Sequence, residues 1–431
     1  MVAMKSAYPG IALPTFVTCR VSASFERYIL ILVLLCAPGT QAGGLWLNEF
    51  GDFSGGRASA GAAAGTDDAA TIIHNPASAT RLDSKQLFIA AGLLAPRAKF
   101  ETQYSNPVNG FINPGDAGRS EPFGSIAYTQ DLSDSPWSTG FYITAPAGAK
   151  LKYGSTWSGR YQAEDVFFVI ATAASSLSYA ATDQLSLGFA LQVYYADLKI
   201  TSAVPRASPA QPDGRATVDG TDVGFGFSAG ALYEFSERYR LGITYQSELK
   251  PDFGGSIKLR FPTSPPPESS DLQVAANTEL VMAEYLRLAL HHSINQDWSV
   301  DLTLGWDNWS ALKNVLLSTQ VGSLGIPTKW RDTYHYAIGA QYRLTPQWTF
   351  TSGIAYDTNP VSAQKRTAQR PVDRQIRMAV GARYAVNTQL NFGGYINYID
   401  LGKARIETSA FGGKFVENDV WQLMVNVSWL F

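Results

Sequence analysis

Cysteine is almost missing. Of 431 residues only Cys19 and Cys36 are cysteine, and both precede an expected cleavage point after Ala42. The exported part therefore holds no thiol, which excludes disulfides, thiolate metal sites and cysteine nucleophiles. Charge is also scarce, at 16% Asp, Glu, Lys and Arg, where soluble domains carry roughly a quarter. No basic block alternates with aromatics, so nucleic acid is not an expected partner. The four histidines, His74, His291, His292 and His335, show no metal-binding spacing with Asp or Glu, and neither metal nor cofactor is expected. Long apolar runs are lacking too. The longest after residue 42 is Val166 to Ala174, far short of the ~20 residues of a spanning helix.

The N-terminus reads as an export signal. Arg20 and Arg27 precede an apolar core from Tyr28 to Ala37, and Pro38-Gly39 and Thr40-Gln41-Ala42 follow. Such a run is too short to span and ends in small residues suited to cleavage. Loss of residues 1–42 removes Lys5, Arg20, Arg27 and Glu26 and moves the formal charge from −2 to −4.

What the chain has in plenty is aromatic residues, 12% of the total, and alternation of period two. Leu185, Leu187, Phe189, Leu191 and Val193 share one face, opposite Ser186, Gly188, Ala190 and Gln192. Val300, Leu302, Leu304 and Trp306 alternate with Asp301, Thr303, Gly305 and Asp307. Tyr336, Ile338 and Ala340 alternate with His335, Gly339 and Gln341, and Met378, Val380 and Ala382 with Arg377, Gly381 and Arg383. These are strands with one apolar face.

The connections sort by length. Short ones fall at Leu132–Pro136, Ala181–Gln184, Ser236–Arg238, Asn295–Asp297, Thr345–Gln347 and Asn387–Thr388. Long ones fall at Ser105–Glu121, Ala147–Glu164, Ser202–Ala216, Pro251–Ala275, Ser310–Lys329, Asp357–Arg374 and Asp400–Asp419. Seven long and six short connections predict about fourteen strands. Short turns on one rim and long loops on the other are the pattern of an outer-membrane barrel. Trp137, Tyr239, Trp298 and Trp348 each follow a short turn, where an aromatic girdle belongs. The final stretch places Trp421, Leu423, Val425, Val427, Trp429 and Phe431 on one face. A last strand ending in Phe resembles the signal read by the bacterial barrel-insertion machinery, so Phe431 is the expected contact for that partner. The predicted fold is all-β, an antiparallel transmembrane β-barrel.

Residues 43–85 fit no strand. Gly43-Gly-Leu-Trp-Leu-Asn-Glu-Phe50 is followed by a small-residue tract from Ser54 to Gly65, by Asp67-Asp68 and by Asn75-Pro76-Ala77. A segment so poor in large side chains cannot build its own core and needs walls from elsewhere. The expected organisation is a signal at 1–42, a hatch at 43–85 inside the lumen, and a barrel at 86–431.

Leu45-Trp-Leu-Asn-Glu-Phe50, Gly56-Arg-Ala-Ser-Ala-Gly61, Asp67-Asp-Ala69 and Asn75-Pro-Ala77 resemble the hatch of the FadL/TodX family. Trp306-Asp-Asn-Trp-Ser310, Trp330-Arg-Asp-Thr333, Gly353-Ile-Ala-Tyr-Asp357 and Arg370-Pro-Val-Asp-Arg374 extend the resemblance over nearly the whole exported chain. The resemblance implies passive uptake of long-chain fatty acids or aromatic hydrocarbons across the outer membrane of a Gram-negative bacterium. It implies a ligand pocket near Leu45, Leu47 and Phe50, a hatch that shifts, and sideways release into membrane lipid through a kinked strand. Pro146 and Gly148, placed just after the third strand, are the candidates for that kink. Asn75-Pro76-Ala77 reads as a rigid turn or as a coupler of hatch position to ligand.

Asp301, Asp307, Arg343, Arg377 and Arg383 are expected to line the lumen, mostly as a charge network, and Arg343, Arg377 or Arg383 could meet a ligand carboxylate. Two other classes stay open. A lipid-modifying barrel enzyme would use His335 with a serine. An adhesin or receptor barrel would use long loops such as that carrying Thr263-Ser-Pro-Pro-Pro267.

Overall fold

The computed structural model describes residues 45–206, 211–262, 269–320 and 322–431. The export signal, both cysteines and the Thr263–Pro267 stretch lie outside the described residues. Nineteen strands run in chain order among the described residues. They are β1 (Gln86–Ser105), β2 (Glu121–Asp131), β3 (Trp137–Lys152), β4 (Asp165–Ala180), β5 (Leu185–Val204), β6 (Gly214–Ser236), β7 (Tyr239–Gln246), β8 (Asp252–Pro262), β9 (Ser269–Glu279) and β10 (Tyr285–Ser293). There follow β11 (Trp298–Asp307), β12 (Asn314–Thr319), β13 (Gly322–Pro327), β14 (Thr333–Arg343), β15 (Trp348–Asp357), β16 (Gln375–Ala385), β17 (Leu390–Asp400), β18 (Ile406–Glu407) and β19 (Phe411–Leu430).

Fourteen of these close a cylinder of antiparallel neighbours. The order is β1 to β7, β10, β11, β14 to β17 and β19, and β19 pairs back onto β1. Closure leaves no free edge strand in the cylinder, so strand N–H and C=O groups find partners within the wall except where β2 and β3 part. The other strands decorate the long-loop rim. Two of the long connections are not irregular. Asp252–Glu279 folds into the β8–β9 hairpin on the upper half of β6, and β12–β13 continues that sheet through β9. Proline and glycine punctuation hid them, because Pro251, Gly254 and Gly255 read as loop.

The apolar faces point away from the axis. Leu187, Phe189, Leu191, Val193, Ile338, Ile354, Met378, Val380, Leu423 and Val425 are exposed, while Ser176, Ser178, Ser186, Gln192, Thr303, His335, Arg377 and Gln422 are buried. A water-soluble sandwich would show the reverse. Cross-strand aromatic pairs ring the short-turn rim: Trp137 with Tyr179 at 4.6 Å, Trp298 with Tyr342 at 4.5 Å and Trp348 with Tyr384 at 4.8 Å. Such rings rest at the lipid–water boundary.

Residues 45–85 contain only short helical turns, at Phe53–Arg57, Ala62–Ala64, Thr71–His74 and Pro76–Arg81. They meet inward-facing residues around most of the wall, from β2 to β7 and from β14 to β17. Backbone approaches backbone where the wall carries glycine. A side chain at Gly353 would stand 2.1 Å from the Arg57 carbonyl, at Gly242 1.9 Å from the Ala63 carbonyl, and at Gly188 2.2 Å from the Ala77 nitrogen. Three strands on different sides of the cylinder thus lack side chains where the hatch rests.

Gly242→Leu and Gly353→Val should therefore unseat the hatch without opening the wall. The expected readout is a larger single-channel conductance in planar bilayers with unchanged barrel mobility on unheated SDS gels.

Candidate functional site

The site begins at the hatch lead. Trp46, Leu47 and Phe50 meet Ile73 from the hatch and Tyr142, Thr144, Pro146, Thr172, Gln192, Gln246 and Tyr285 from the wall. The enclosed space is only about 20 Å³, room for about one water. No acyl chain or benzene ring enters until the lead moves. Leu45 does not line this pocket. It packs beside it, on a cluster that includes Trp46, Trp309 and Trp330. Sequence reasoning passed over Trp46, whose indole donates to the Ala283 carbonyl at 2.9 Å and joins pocket to cluster. Its signal was its place between two apolar residues already named.

The pocket abuts a defect in the wall. β2 and β3 pair only from Ile126–Asp131 to Ser138–Ile143. Above that, Glu121–Ser125 of β2 keep their bonds to β1 but take no β3 partner. β3 meanwhile bulges between Thr144 and Ala147 and continues against β4, with Leu151 bridging to Gly118 at its upper end. Pro146 and Gly148 thus lie inside β3, not after it. Proline can stand there because a bulge asks for no ladder N–H. The gap is roofed by the Lys150–Glu121 ion pair at 2.6 Å and by Lys152 N–H donating to the Ala117 carbonyl at 2.8 Å. Both lips touch the hatch lead. Leu47 N–H donates to the Pro146 carbonyl at 2.9 Å, and the Ser125 hydroxyl donates to the Phe50 carbonyl.

One residue of the lead is a buried anion. Glu49 accepts from Arg377 at 2.7 Å, and Arg377 also donates to Asp357 at 3.0 Å and to Gln375 at 2.6 Å. His335 Nδ1 lies 2.7 Å from Asp357. A second network holds the hatch lower down. Arg57 bonds Asp67 at 3.1 Å and sits 3.5 Å from Asp301, and Arg383 stacks on Phe53 at 4.2 Å and lies 3.7 Å from Asp67. Asp307 pairs with Arg287 at 2.8 Å. Arg343 is exposed at the end of its strand. Arg343, Arg377 and Arg383 are therefore not brought together, and none lines the pocket. His291 faces Asp301 at 2.8 Å and His292 stacks on Tyr239, one inward and one outward. His335 is sealed in the Arg377 network, and no serine bonds it among the described residues.

Asn75-Pro76-Ala77 is a clamp. The Asn75 amide donates to the Ala63 carbonyl at 2.6 Å and to Ala231 of β6 at 3.1 Å, and its oxygen accepts from Ala77 N–H at 3.0 Å. It caps the Pro76–Arg81 turn and ties two hatch segments to the wall.

A closed antiparallel barrel, apolar outside and filled by its own N-terminal segment, is an outer-membrane β-barrel whose lumen is shut. The chain belongs to the outer membrane protein transport family (OMPP1/FadL/TodX), which matches residues 33–428. It is similar to the long-chain fatty acid transport protein of Salmonella typhi, 23% identical over 94% of this chain and 98% of that one. It is similar to outer membrane protein P1 of Haemophilus influenzae, 24% identical over 89% of this chain and 90% of that one. Among solved structures, a Pseudomonas aeruginosa FadL homologue superposes with a TM-score of 0.82 at 18% identity, over 90% of this chain and 99% of that one. The Ralstonia pickettii toluene transporter TbuX gives 0.67 at 18% identity, over 89% and 99%.

Two tests follow from these networks. Arg377→Met strands Glu49 in a dry site and leaves Asp357 with His335 alone, and an unpaired buried ion costs about 3–5 kcal/mol. Amides of residues 45–50 should then exchange with deuterium at least tenfold faster, while β15 and β16 keep their protection. The second concerns pH. Burial, then Asp67 and Asp52, push the Asp68 carboxyl up to about 7. A carboxyl raised in the folded state favours the protonated form. Hatch docking is thus strongest near pH 4, weakens as pH climbs to 7, and is flat above. Asp68→Asn keeps an acceptor for Ala70 N–H, which Asp68 meets at 2.9 Å. It should slow hatch exchange at pH 8 and leave it unchanged at pH 4.

Proposed function

We propose that this protein takes up hydrophobic molecules across the outer membrane without energy input, by displacement of the hatch lead and lateral release. The adjacency of pocket and wall gap carries the reading. Thr144 and Pro146 line the pocket and form the bulge that parts β3 from β2. An apolar occupant that displaces Leu47 and Phe50 removes hydrogen bonds from both lips of the gap at once. It then leaves into lipid, where each buried CH₂ is worth about 0.8 kcal/mol, rather than into water. The hatch at 43–85 is the gate, the barrel at 86–431 is the wall, and Asn75-Pro76-Ala77 is the fixed point about which the lead moves. Export requires the signal at 1–42 and barrel insertion reads Phe431.

Among hydrophobic ligands, the geometry favours a long-chain fatty acid over an aromatic hydrocarbon. The Salmonella typhi relative is a fatty acid transporter and TbuX a toluene transporter, so kinship leaves the choice open. Arg370 supports the first. Its Nη1 is buried without a hydrogen-bond partner among the described residues, and its guanidinium lies 5.9 Å over Trp330. Burial with no facing acid pushes it down to about 10. Trp330 then stands 5.2 Å from Trp309, and Trp309 6.5 Å from Trp46 at the pocket. A carboxylate on Arg370 with its tail along three indoles is the length of an acyl chain, not of one ring. Arg343, Arg377 and Arg383 serve as structural cations in this reading.

A charged hydrogen bond contributes about 1.5–3 kcal/mol. Arg370→Met should therefore lower oleate affinity by about 10- to 100-fold and leave toluene or dodecanol uptake intact. Equal loss for charged and neutral probes would refute the carboxylate assignment. Deletion of Leu45–Phe50 that leaves oleate uptake unchanged would refute the pocket itself.

A further inference from the structure

A second cavity, of about 350 Å³, lies among the long loops and is lined by Arg331, Asn359, Arg366, Asp373, Lys403 and Arg405 with small neighbours. Its position is set by the loops after β15 and β17 and by the residues just before β14. None of its lining residues is aromatic, so it is not part of the greasy path through Trp330, Trp309 and Trp46.

Four cations face one carboxylate there. Arg366 is buried, and its guanidinium is consumed by the scaffold: it donates to the carbonyls of Val372 at 2.7 Å, Arg405 at 2.7 Å and Val361 at 2.9 Å, and to Asn359 Oδ1 at 2.9 Å. It thereby stitches one loop to the other and holds Arg405 beside the cavity. Asp373 is also occupied, accepting from the backbone N–H groups of Arg374 at 2.9 Å and Ala404 at 3.2 Å. Burial weighs against the charged form of Arg366, Asp373 favours it, the neighbouring Arg331 opposes it, and Glu407 again favours it. The side chains of Lys403 and Arg405 are exposed and make no hydrogen bond or ion pair among the described residues.

The backbone between them is held in an unusual shape. Gly402 has φ +70° and Ala404 φ +35°. A left-handed alanine is strained, and here it sits between the two unpaired cations. A side chain at Gly402 would meet Asp373 Cβ at 2.9 Å, so the loop is pressed against its anchor. A strained loop that aims two free cations into a cavity already cationic is costly to fold and is stabilised by an anion.

We propose that this cavity binds a phosphate-bearing anion. Guanidinium forks match phosphate oxygens in pairs, a net excess of three positive charges suits a multiply charged group, and the volume exceeds that of a single phosphate. Two sources share this chemistry: the phosphorylated sugar headgroup of an outer-leaflet glycolipid, and free inorganic phosphate or pyrophosphate. The site is independent of the transport reading, since neither pocket nor wall gap contributes to it.

The test is calorimetric titration of the full chain in detergent with inorganic pyrophosphate, with a diphosphorylated glucosamine-disaccharide lipid, and with the same lipid dephosphorylated. Saturable binding of a phosphorylated probe is expected, weakened at least tenfold in the Lys403→Gln/Arg405→Gln double variant and recovered in Arg405→Lys. Both side chains are exposed, so folding is checked simply by barrel mobility on unheated gels. Binding of the phosphorylated lipid alone assigns the headgroup as the source, and binding of pyrophosphate alone assigns the free anion. Equal binding of the dephosphorylated lipid, no binding of any phosphorylated probe, or wild-type affinity in the double variant overturns the proposal.

Discussion

Hydrocarbon offers no hydrogen bonds, so a wall that crosses it must pair its own backbone. Closure of β19 onto β1 meets that demand nearly everywhere. Where β2 and β3 part, it is not met by the wall. The parted lips are instead held from inside, by Leu47 N–H on the Pro146 backbone carbonyl and by the Ser125 side-chain hydroxyl on the Phe50 carbonyl. The lead of the hatch thus bridges the two strands that the wall leaves unpaired. In the proposed uptake, departure of the lead removes both bonds, and position, gating and exit all follow from that one local failure of sheet pairing.

The proposed uptake asks the rest of the hatch to stay while its lead moves, and the chain holds the two by different chemistry. Residues 51–81 rest on glycines of the wall and are bolted by Asn75, which bonds both the hatch and β6. These contacts are short-range and backbone-led, so they tolerate no sliding. The lead is held by the buried ion pair from Glu49 to Arg377, by single hydrogen bonds to Pro146, Ser125 and Ala283, and by packing of Trp46, Leu47 and Phe50. A buried ion pair is close to neutral against its desolvation yet sharply directional. It fixes the position that the lead takes in the closed state.

Much of this was legible in the chain because period two and turn length are local signals. The lipid face of β5, the six short turns and the girdle at Trp137, Trp298 and Trp348 needed no tertiary information. What stayed hidden depends on partners far away. Proline ended the reading of the third strand at residue 146, since nothing local says that β2 will leave its side unpaired. Pro251 with Gly254 and Gly255 looked like loop, although β6 supplies them a sheet edge. Leu45 and Trp46 were indistinguishable as apolar neighbours. Only the curl of the lead sends the indole into the pocket and the leucine to its flank.

The arginines show the same limit in electrostatic form. Alternation assigns Arg377 and Arg383 to the lumen correctly, and being in the lumen made them look available to a ligand. A lumen filled by an acidic hatch consumes them: Glu49 and Asp357 take Arg377, and Asp67 lies near Arg383. A cation is available to an incoming anion only where no acid has been folded against it, and strand periodicity carries no record of that. Arg370 belongs to a loop with no period at all, and its environment is built by Trp330 from another loop. The surplus charge lies on the loops because the barrel's own interior is already neutralised by the hatch. In the proposed uptake of a fatty acid, Arg370 meets the carboxylate among the loops before the tail reaches the lead.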